Sequence, residues 1–443
     1  MLIEKLSGIL NEAKAEYESA APGSFRAVLK SGSDTEKGQL VKGDNMKWMK
    51  YMADSGYNGK VNLIYIDPPF FSKTNYDAIV KIDSDKVKDI PPVKLYAFND
   101  RWGDGKEDYL LMLCVRFYMM RDLLADDGSL WVHLDWHVAH YAKVLLDEIF
   151  GEKNFVNEII WHYKSGGTSK KHFSKKHDTL LFYAKTKNYY FNPQTEKSYN
   201  RGFKPYRFKG VKEYRDELGW YTMVNMKDVW QIDMVGRTSA ERTGYVTQKP
   251  EALIERIVES CSKEGDLCAD FFGGSGTLAS VAGRMGRRWI SCDSGGLAFA
   301  EAGKRLIKSG AGFTAMEQTD DKAGQTKCSA DVRLSERPME LSDKKILRVA
   351  LVSYSPDLSY AELDEASEKA VKGVIKKDSL SLIDYWSVDF GFDGKTHKPG
   401  LIFFSGKDKI YECEKIGDAF SRISVHIADV FGNNTFISEN IGK

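Results

Sequence analysis

The sequence is short of charge imbalance, of paired cysteines, of long apolar runs and of repeats. Its 443 residues carry 64 Lys and Arg against 63 Asp and Glu, for a net charge of +1. Composition as a whole therefore announces neither a nucleic-acid coat nor an acidic tail. The six cysteines are scattered with no C-x-x-C spacing, and Cys261 and Cys268 are too far apart for a zinc knuckle. That usage fits a reducing, cytoplasmic setting. No stretch reads as a membrane span, and Met1–Ala21 has the pattern of a charged amphipathic helix rather than a secretory leader. The one Gly-Lys-Thr, Gly394-Lys395-Thr396, has Asp389 where a phosphate-binding loop needs its leading glycine. What remains is a chain with 42% hydrophobic residues, enough for two or three domains with cores.

Two segments stand out. Val61-Asn62-Leu63-Ile64-Tyr65-Ile66 reads as a buried parallel strand and runs into Asp67-Pro68-Pro69-Phe70. Ligands of doubly wound folds sit past the carboxyl ends of strands. There Asp67 can accept a hydrogen bond from an exocyclic NH2, the Pro68 carbonyl can accept the second N–H, and Phe70 offers a stacking face. The plainer alternative is a proline turn with a capping Asp. The second segment is a short strand, Gly265 to Asp270, followed by Phe271-Phe272-Gly273-Gly274-Ser275-Gly276-Thr277 and a helix from Leu278 to about Met285. Strand, glycine turn and helix form a nucleotide-cofactor arrangement, because glycines let a ligand approach the backbone. A further strand, Arg287 to Asp293, ends in an acid suited to a ribose diol.

The Asp-Pro-Pro-Phe segment in this setting resembles the catalytic motif of amino-group DNA methyltransferases, which methylate adenine N6 or cytosine N4 with S-adenosylmethionine. The glycine stretch resembles their cofactor motif, with Phe271 where the common form has proline. Thr247-Gln248-Lys249-Pro250, before a helix from Glu251 to about Ser262, resembles the segment that closes over the methionine end. By that resemblance Lys249 pairs with the methionine carboxylate; on its own it reads as a solvated lysine before a helix-starting proline. Gly43-Asp44-Asn45 resembles the segment whose acid reaches the cofactor adenine, or is an ordinary N-cap at Asp44. Asn157 to Tyr163 resembles the strand that walls the target-base pocket, with Trp161 or Tyr163 stacking on the base or serving as core.

The acceptor motif precedes the cofactor motif by roughly 200 residues, an order similar to the β subgroup, which includes type III modification subunits. The resemblance implies an α/β, doubly wound, mostly parallel seven-stranded sheet in circularly rearranged order, with an inserted target-recognition region. Asp67, rather than serine, tips the acceptor toward adenine. An N4-cytosine enzyme and a non-catalytic DNA-recognition subunit with a retained core stay open. The absence of Pro-Cys argues against cytosine C5 chemistry. Duplex DNA is the implied partner, with a second copy or a restriction endonuclease as further partners of such proteins.

The expected layout is a helix and loop over 1–37, the catalytic half over 38–160, a recognition insert over 161–244, the cofactor half over 245–310, a linker over 311–343 and a small α/β module of unassigned role over 344–443. The insert is basic and aromatic, and Lys170, Lys171, Lys175 and Lys176 are its candidate phosphate contacts. The tail pattern predicts strands at Ile346–Ser353, Leu382–Phe390, Leu401–Phe404 and Ile423–Phe431 and a helix over Asp357–Lys377. His133, Asp135, His137 and His140 form a tempting ligand-like run, but no metal is expected there.

Overall fold

Neighbouring residues of the apolar strands face opposite ways, and both ways lead into a core. Leu63 and Tyr65 join one buried cluster while Ile64 and Ile66 join another; Cys268 and Ala269, and Trp289 and Ile290, divide likewise. A sheet buried on both faces is the result. The computed structural model describes residues 2–100, 105–164, 168–320, 327–359, 361, 363–405 and 410–441.

In chain order the elements are α1 (Leu2–Ser19), β1 (Phe25–Ser31), β2 (Gly38–Lys42), α2 (Asn45–Met52), β3 (Val61–Ile66), β4 (Asn75–Val80), β5 (Val93–Asn99), α3 (Lys106–Leu123), β6 (Leu124–Leu134), α4 (Ala139–Phe150), β7 (Phe155–His162) and β8 (His177–Ala184). They continue with β9 (Thr195–Tyr199), β10 (Glu213–Arg215), β11 (Trp220–Asn225), β12 (Val229–Gln231), α5 (Glu251–Cys261), β13 (Leu267–Asp270), α6 (Thr277–Arg284), β14 (Arg288–Asp293), α7 (Gly296–Lys308) and β15 (Phe313–Gln318). The tail holds β16 (Ser329–Pro338), β17 (Lys345–Ser355), α8 (Glu365–Asp378), β18 (Ile383–Asp389), β19 (Leu401–Phe404), β20 (Glu412–Gly417), β21 (Arg422–Asp429) and β22 (Asn434–Asn440).

The main sheet runs β1-β15-β2-β14-β13-β3-β6-β8-β7-β12. It is parallel from β15 through β6, with β1, β8 and the β8–β7 pairing antiparallel. Helices α1 to α4 cover one face and α5 to α7 the other. The sheet is thus doubly wound and mostly parallel, as expected, but it has ten strands rather than seven. The extra strands sit at its edges. Phe25–Ser31, expected to be loop, pairs antiparallel with β15, and Val229–Gln231 adds to β7.

Two of the expected boundaries move. Residues 313–318 of the supposed linker are the strand β15, and 329–338 are the strand β16. Within the supposed insert, His177–Ala184 returns to the main sheet, where Leu180 to Ala184 are all buried. The apolar run Leu180-Leu181-Phe182-Tyr183 needs a two-sided core, which the loops do not offer. Residues 185–228 leave the sheet, around a small antiparallel sheet of β10, β11 and β9. In the tail, α8 starts at Glu365 rather than near 357, because the Asp364 carboxylate caps it by accepting the Ser367 N–H.

The tail joins the main sheet at β1. Lys30 N–H donates to the His397 carbonyl (2.8 Å) and His397 N–H to the Val28 carbonyl (3.1 Å). The His397 ring is buried between the Ser387 and Ser424 hydroxyls, and His426 is buried on Asn434 Oδ1 (2.9 Å). Burial lowers the His426 imidazole to about 4; burial and the neighbouring His426 lower His397 further still. Both rings are therefore neutral in the folded protein, while the unfolded chain takes up a proton on each near pH 6.5. Stability is whole above that pH and is lost as pH falls from it toward about 4. Each pH unit in that window costs about 1.4 kcal/mol per histidine. Thermal unfolding should show the midpoint falling between pH 7 and pH 5, with a shallower fall in His426→Gln.

Candidate active site

Strands β14, β13 and β3 lie side by side and run the same way, so Asp293, Asp270 and Asp67 come together at their carboxyl ends. All three line one cavity of about 620 Å³, well inside the range of about 300–1,000 Å³ usual for small-molecule sites. The cavity is also lined by Pro68, Pro69, Phe70, Phe272, Gly273, Gly274, Ser275, Thr277, Asp44, Tyr245 and Lys249. Residues about 200 apart in the chain thus face the same space because parallel neighbours share an edge.

The turn after β3 is held against its own strain. Phe71 (φ 59°) and Lys73 (φ 61°) are left-handed, each costing roughly 1–3 kcal/mol in a residue with a side chain. The buried Asp100 carboxylate accepts the Phe71 N–H (2.8 Å) and the Ser72 N–H (2.6 Å), and Tyr109 Oη donates to the Pro69 carbonyl (2.6 Å). These remote groups set the pitch of Asp67-Pro68-Pro69-Phe70.

Asp67 Oδ2 is ion-paired with Lys249 Nζ, and both side chains are largely buried. Asp67 Oδ1 is buried without a hydrogen-bond partner among the described residues. Behind it stands His133, fully buried, with Nδ1 3.9 Å from Asp67 Oδ1. Its Nδ1 meets Tyr65 Oη (2.9 Å) and its Nε2 meets Asp178 Oδ2 (3.2 Å), the pattern of a ring that accepts from tyrosine and donates to carboxylate. Burial pushes the Asp178 carboxyl up, but the His133 hydrogen bond and charge, with Lys249 and the Tyr163 hydroxyl, hold it below its ordinary value.

On the cofactor side, Asp270 Oδ1 accepts the Phe272 N–H (2.9 Å). Asp293 accepts the Gly274 N–H and the Gly295 N–H, both at 2.8 Å. Glycine is required twice here. A Cβ at Gly273 would fall 2.2 Å from Ser291 Oγ, and Gly276 is left-handed (φ 71°) with a would-be Cβ 2.9 Å from Ala302. Burial pushes the Asp270 carboxyl well up, and the charges of Asp67 and Asp293 add to it. Burial raises Asp293 too, against the two N–H donors. The cavity is acid-lined, with Lys249 and Arg116 among its lining cations.

A family model described as DNA methylase matches residues 61–300, which span the Asp67–Phe70 turn, seven of the ten strands of the main sheet and the glycine turn. The chain belongs to the DNA methylase family. It is 30% identical over 259 residues to the type II methyltransferase M1.MboII of Moraxella bovis, covering 54% of this chain and 86% of that one. It is 27% identical over 162 residues to the EcoP15I Mod subunit of Escherichia coli, a type III restriction-modification enzyme, covering 33% of this chain and 24% of that one. Among solved structures, the M1.HpyAVI–SAM complex aligns with 61% of this chain and 98% of its own at 19% identity and a TM-score of 0.39.

Most of the methylase residues named from the sequence meet at this cavity, but several differ in detail. Lys249 is engaged with Asp67 rather than standing clear for a ligand carboxylate. Asp44 lines the cavity and also caps α2, accepting the Lys47 N–H (2.9 Å). Phe271 is core, its carbonyl taken by Asn45 Nδ2 (2.7 Å). Trp161 is core as well: its ring is 1% exposed and its Nε1–H donates to the Ile232 carbonyl (2.8 Å). Tyr163 packs edge-on against Trp161 and donates to Asp178 Oδ1 (3.1 Å). Neither ring lines the cavity. The histidine run does not converge: His133 is buried behind Asp67, while His137 and Asp135 pair with each other (2.6 Å).

Sequence reasoning missed Tyr65, Asp100, Tyr109, Asp178 and Tyr245. Tyr245 has its ring 3.3 Å from where a Gly274 Cβ would stand, two residues before the quoted Thr247-Gln248-Lys249-Pro250, and that proximity was the available signal. His133→Ala should cost roughly 2–4 kcal/mol, because it strips a buried carboxylate and a buried hydroxyl of a partner. Urea unfolding of the variant measures the loss.

Proposed function

We propose that the chain transfers methyl groups from S-adenosylmethionine to the exocyclic N6 of adenine at specific sites in duplex DNA. The observation that carries this reading is Asp67. One of its oxygens is buried and lacks a hydrogen-bond partner among the described residues, on a proline-stiffened turn that shares a cavity with a glycine turn. A buried acceptor without a donor is costly unless a ligand supplies one. An exocyclic amino group supplies two. The Pro69 carbonyl is occupied by Tyr109, which leaves Asp67 Oδ1 and the Pro68 carbonyl for that group. Phe70 lines the same wall and offers a face for the ring.

The residues present fit S-adenosylmethionine. Gly273 and Gly274 line the cavity beside Asp293, which stands at the carboxyl end of β14 where a ribose diol binds. When bound, the cofactor supplies an electrophilic methyl on a positively charged sulfur. The protein's part is to hold the amino nitrogen in line and to keep water out. Asp67 and the Pro68 carbonyl take the two N–H groups and so turn the nitrogen lone pair outward. The Lys249 ion pair fixes Asp67 Oδ2, and His133 with Asp178 backs the carboxylate from the interior. A stacked base cannot present its amino group to such a turn, so the nucleotide must be flipped out. An acid rather than a serine at position 67 supports adenine over cytosine.

The DNA surface is assigned to the loop between β7 and β8. Strand β8 is antiparallel to both β6 and β7, so β7 runs with β3, and the chain leaves β7 and enters β8 at the edge where Asp67 lies. Lys170 and Lys171 are exposed there, Lys175 sits over the Trp136 ring (3.2 Å to its centroid), and Phe173 is 99% exposed. Residues from 185 onward start from the opposite edge, so the basic stripe is split. A role in restriction-modification rests on the kinship alone.

Nucleoside mass spectrometry of DNA methylated by the protein should show N6-methyladenine; N4-methylcytosine would overturn the choice of base. Asp67→Ala should lower the rate at least ~100-fold while the cofactor still binds. Replacing Lys170, Lys171, Lys175 and Lys176 with alanine should flatten the slope of log affinity against log salt by about 0.9 for each residue that meets a phosphate.

A further inference from the structure

The tail, which carries no assigned chemistry, reaches the cavity. Phe431, Gly432, Asn433 and Asp357 line it beside Ser294, Gly295 and Gly296, which follow Asp293. The turn from Asp429 to Asn433 is built to one shape. The buried Asp429 carboxylate accepts the Phe431 N–H (2.9 Å), the Asn433 N–H (2.8 Å), the Asn433 side-chain amide (2.8 Å) and the Tyr354 hydroxyl (3.0 Å). The same amide donates to the Asp357 carbonyl (3.0 Å), joining the two tail segments that face the cavity.

The turn is seated on the start of α7. Gly432 is left-handed (φ 88°), and a Cβ there would come within 2.7 Å of the Leu297 backbone. Behind the turn the tail is anchored to α7 by the Lys304–Asp384 ion pair (2.6 Å) and to β1 through His397. It is also anchored to the hairpin β4–β5 that follows the acceptor turn. Ala78, Val93 and Leu95 of that hairpin share a buried cluster with Val349, Val371 and Trp386 of the tail, and Ser84 Oγ donates to Asp378 Oδ2 (2.6 Å). So the tail touches both halves of the site and contributes part of its wall.

We propose that the C-terminal module is a structural part of the cofactor site: its Asp429–Asn433 turn closes the cavity over the adenosine half of S-adenosylmethionine, with Phe431 as the contacting side chain. The assignment to the adenosine half follows from position, since the turn lies against the residues just past the carboxylate suited to the ribose. It rests on the cofactor reading above. An aromatic side chain at such a wall suits a purine, whose faces are apolar. A turn held by four bonds to one carboxylate is preorganised, so little ordering is required when the ligand binds.

The test uses the full chain and S-adenosylhomocysteine. Calorimetric titration of Phe431→Ala should give about 10-fold weaker binding than the parent, with cofactor-free affinity for DNA unchanged. Gly432→Ala, which forces the turn off Leu297, should weaken binding at least as much. Parent-like affinity in a Phe431→Ala variant with an unaltered melting curve overturns the proposal. Hydrogen exchange on the unmutated protein decides the matter without relying on variants. Ligand should slow exchange at 429–433 together with 273–277. Protection at 273–277 alone overturns the role of the tail, and protection at neither removes the cofactor reading and the proposal with it.

Discussion

Three carboxylates at the ends of three adjacent parallel strands set the terms for the rest of the site. Asp67, Asp270 and Asp293 are brought together by strand pairing, and burial, with Asp67 and Asp293 on either side, raises the cost of ionising Asp270. The surrounding structure offsets that cost with different partners. Asp293 takes two backbone N–H groups, Asp270 takes one, and Asp67 takes the Lys249 ammonium. Backbone donors are available only where the chain folds tightly enough to aim them, which is why the glycine turn and the acids occur together.

The acceptor turn shows how far away its supports lie. The left-handed Phe71 is steadied by Asp100, and Pro69 by Tyr109 from α3. Ala78, Ile82, Val93 and Leu95 of the hairpin between β3 and α3 pack into the core of the tail. The turn proposed to grip the base and the turn proposed to cover the adenosine therefore share one supporting body.

Much of the arrangement was legible because the decisive signals are local. A six-residue apolar run ending in Asp-Pro-Pro-Phe reads as a strand and a rigid turn whatever surrounds it. A strand followed by Gly-Gly-Ser-Gly reads as a close approach to a ligand. Four strands of the tail, β17, β18, β19 and β21, were legible for the same reason, while β16, β20 and β22 were not. Side chains whose role depends on a distant partner were not. Trp161 and Tyr163 had the chemistry of base-stacking residues, yet pairing of β7 with β12 and β8 turned Trp161 into the core and gave Tyr163 to Asp178. His133 looked like a ligand among histidines because alternation is visible in sequence, while its partners Tyr65 and Asp178 are 68 and 45 residues away. Asp44 remained double-valued because a capping acid and a lining acid have the same local pattern.

What the residues determined by themselves is the set of local conformations: which runs extend, where glycine admits a positive φ, where proline stiffens a carbonyl. Those follow from sterics within a few residues. The tertiary structure decided which ends meet. Parallel pairing of β3, β13 and β14 put the acceptor turn beside the glycine turn; the antiparallel β8 split the basic residues between two edges; and packing of the tail on α7 and β1 brought a turn from residues 429–433 into the wall of the cavity. No short-range rule carries that information, because it depends on how two buried faces of one sheet are filled at once.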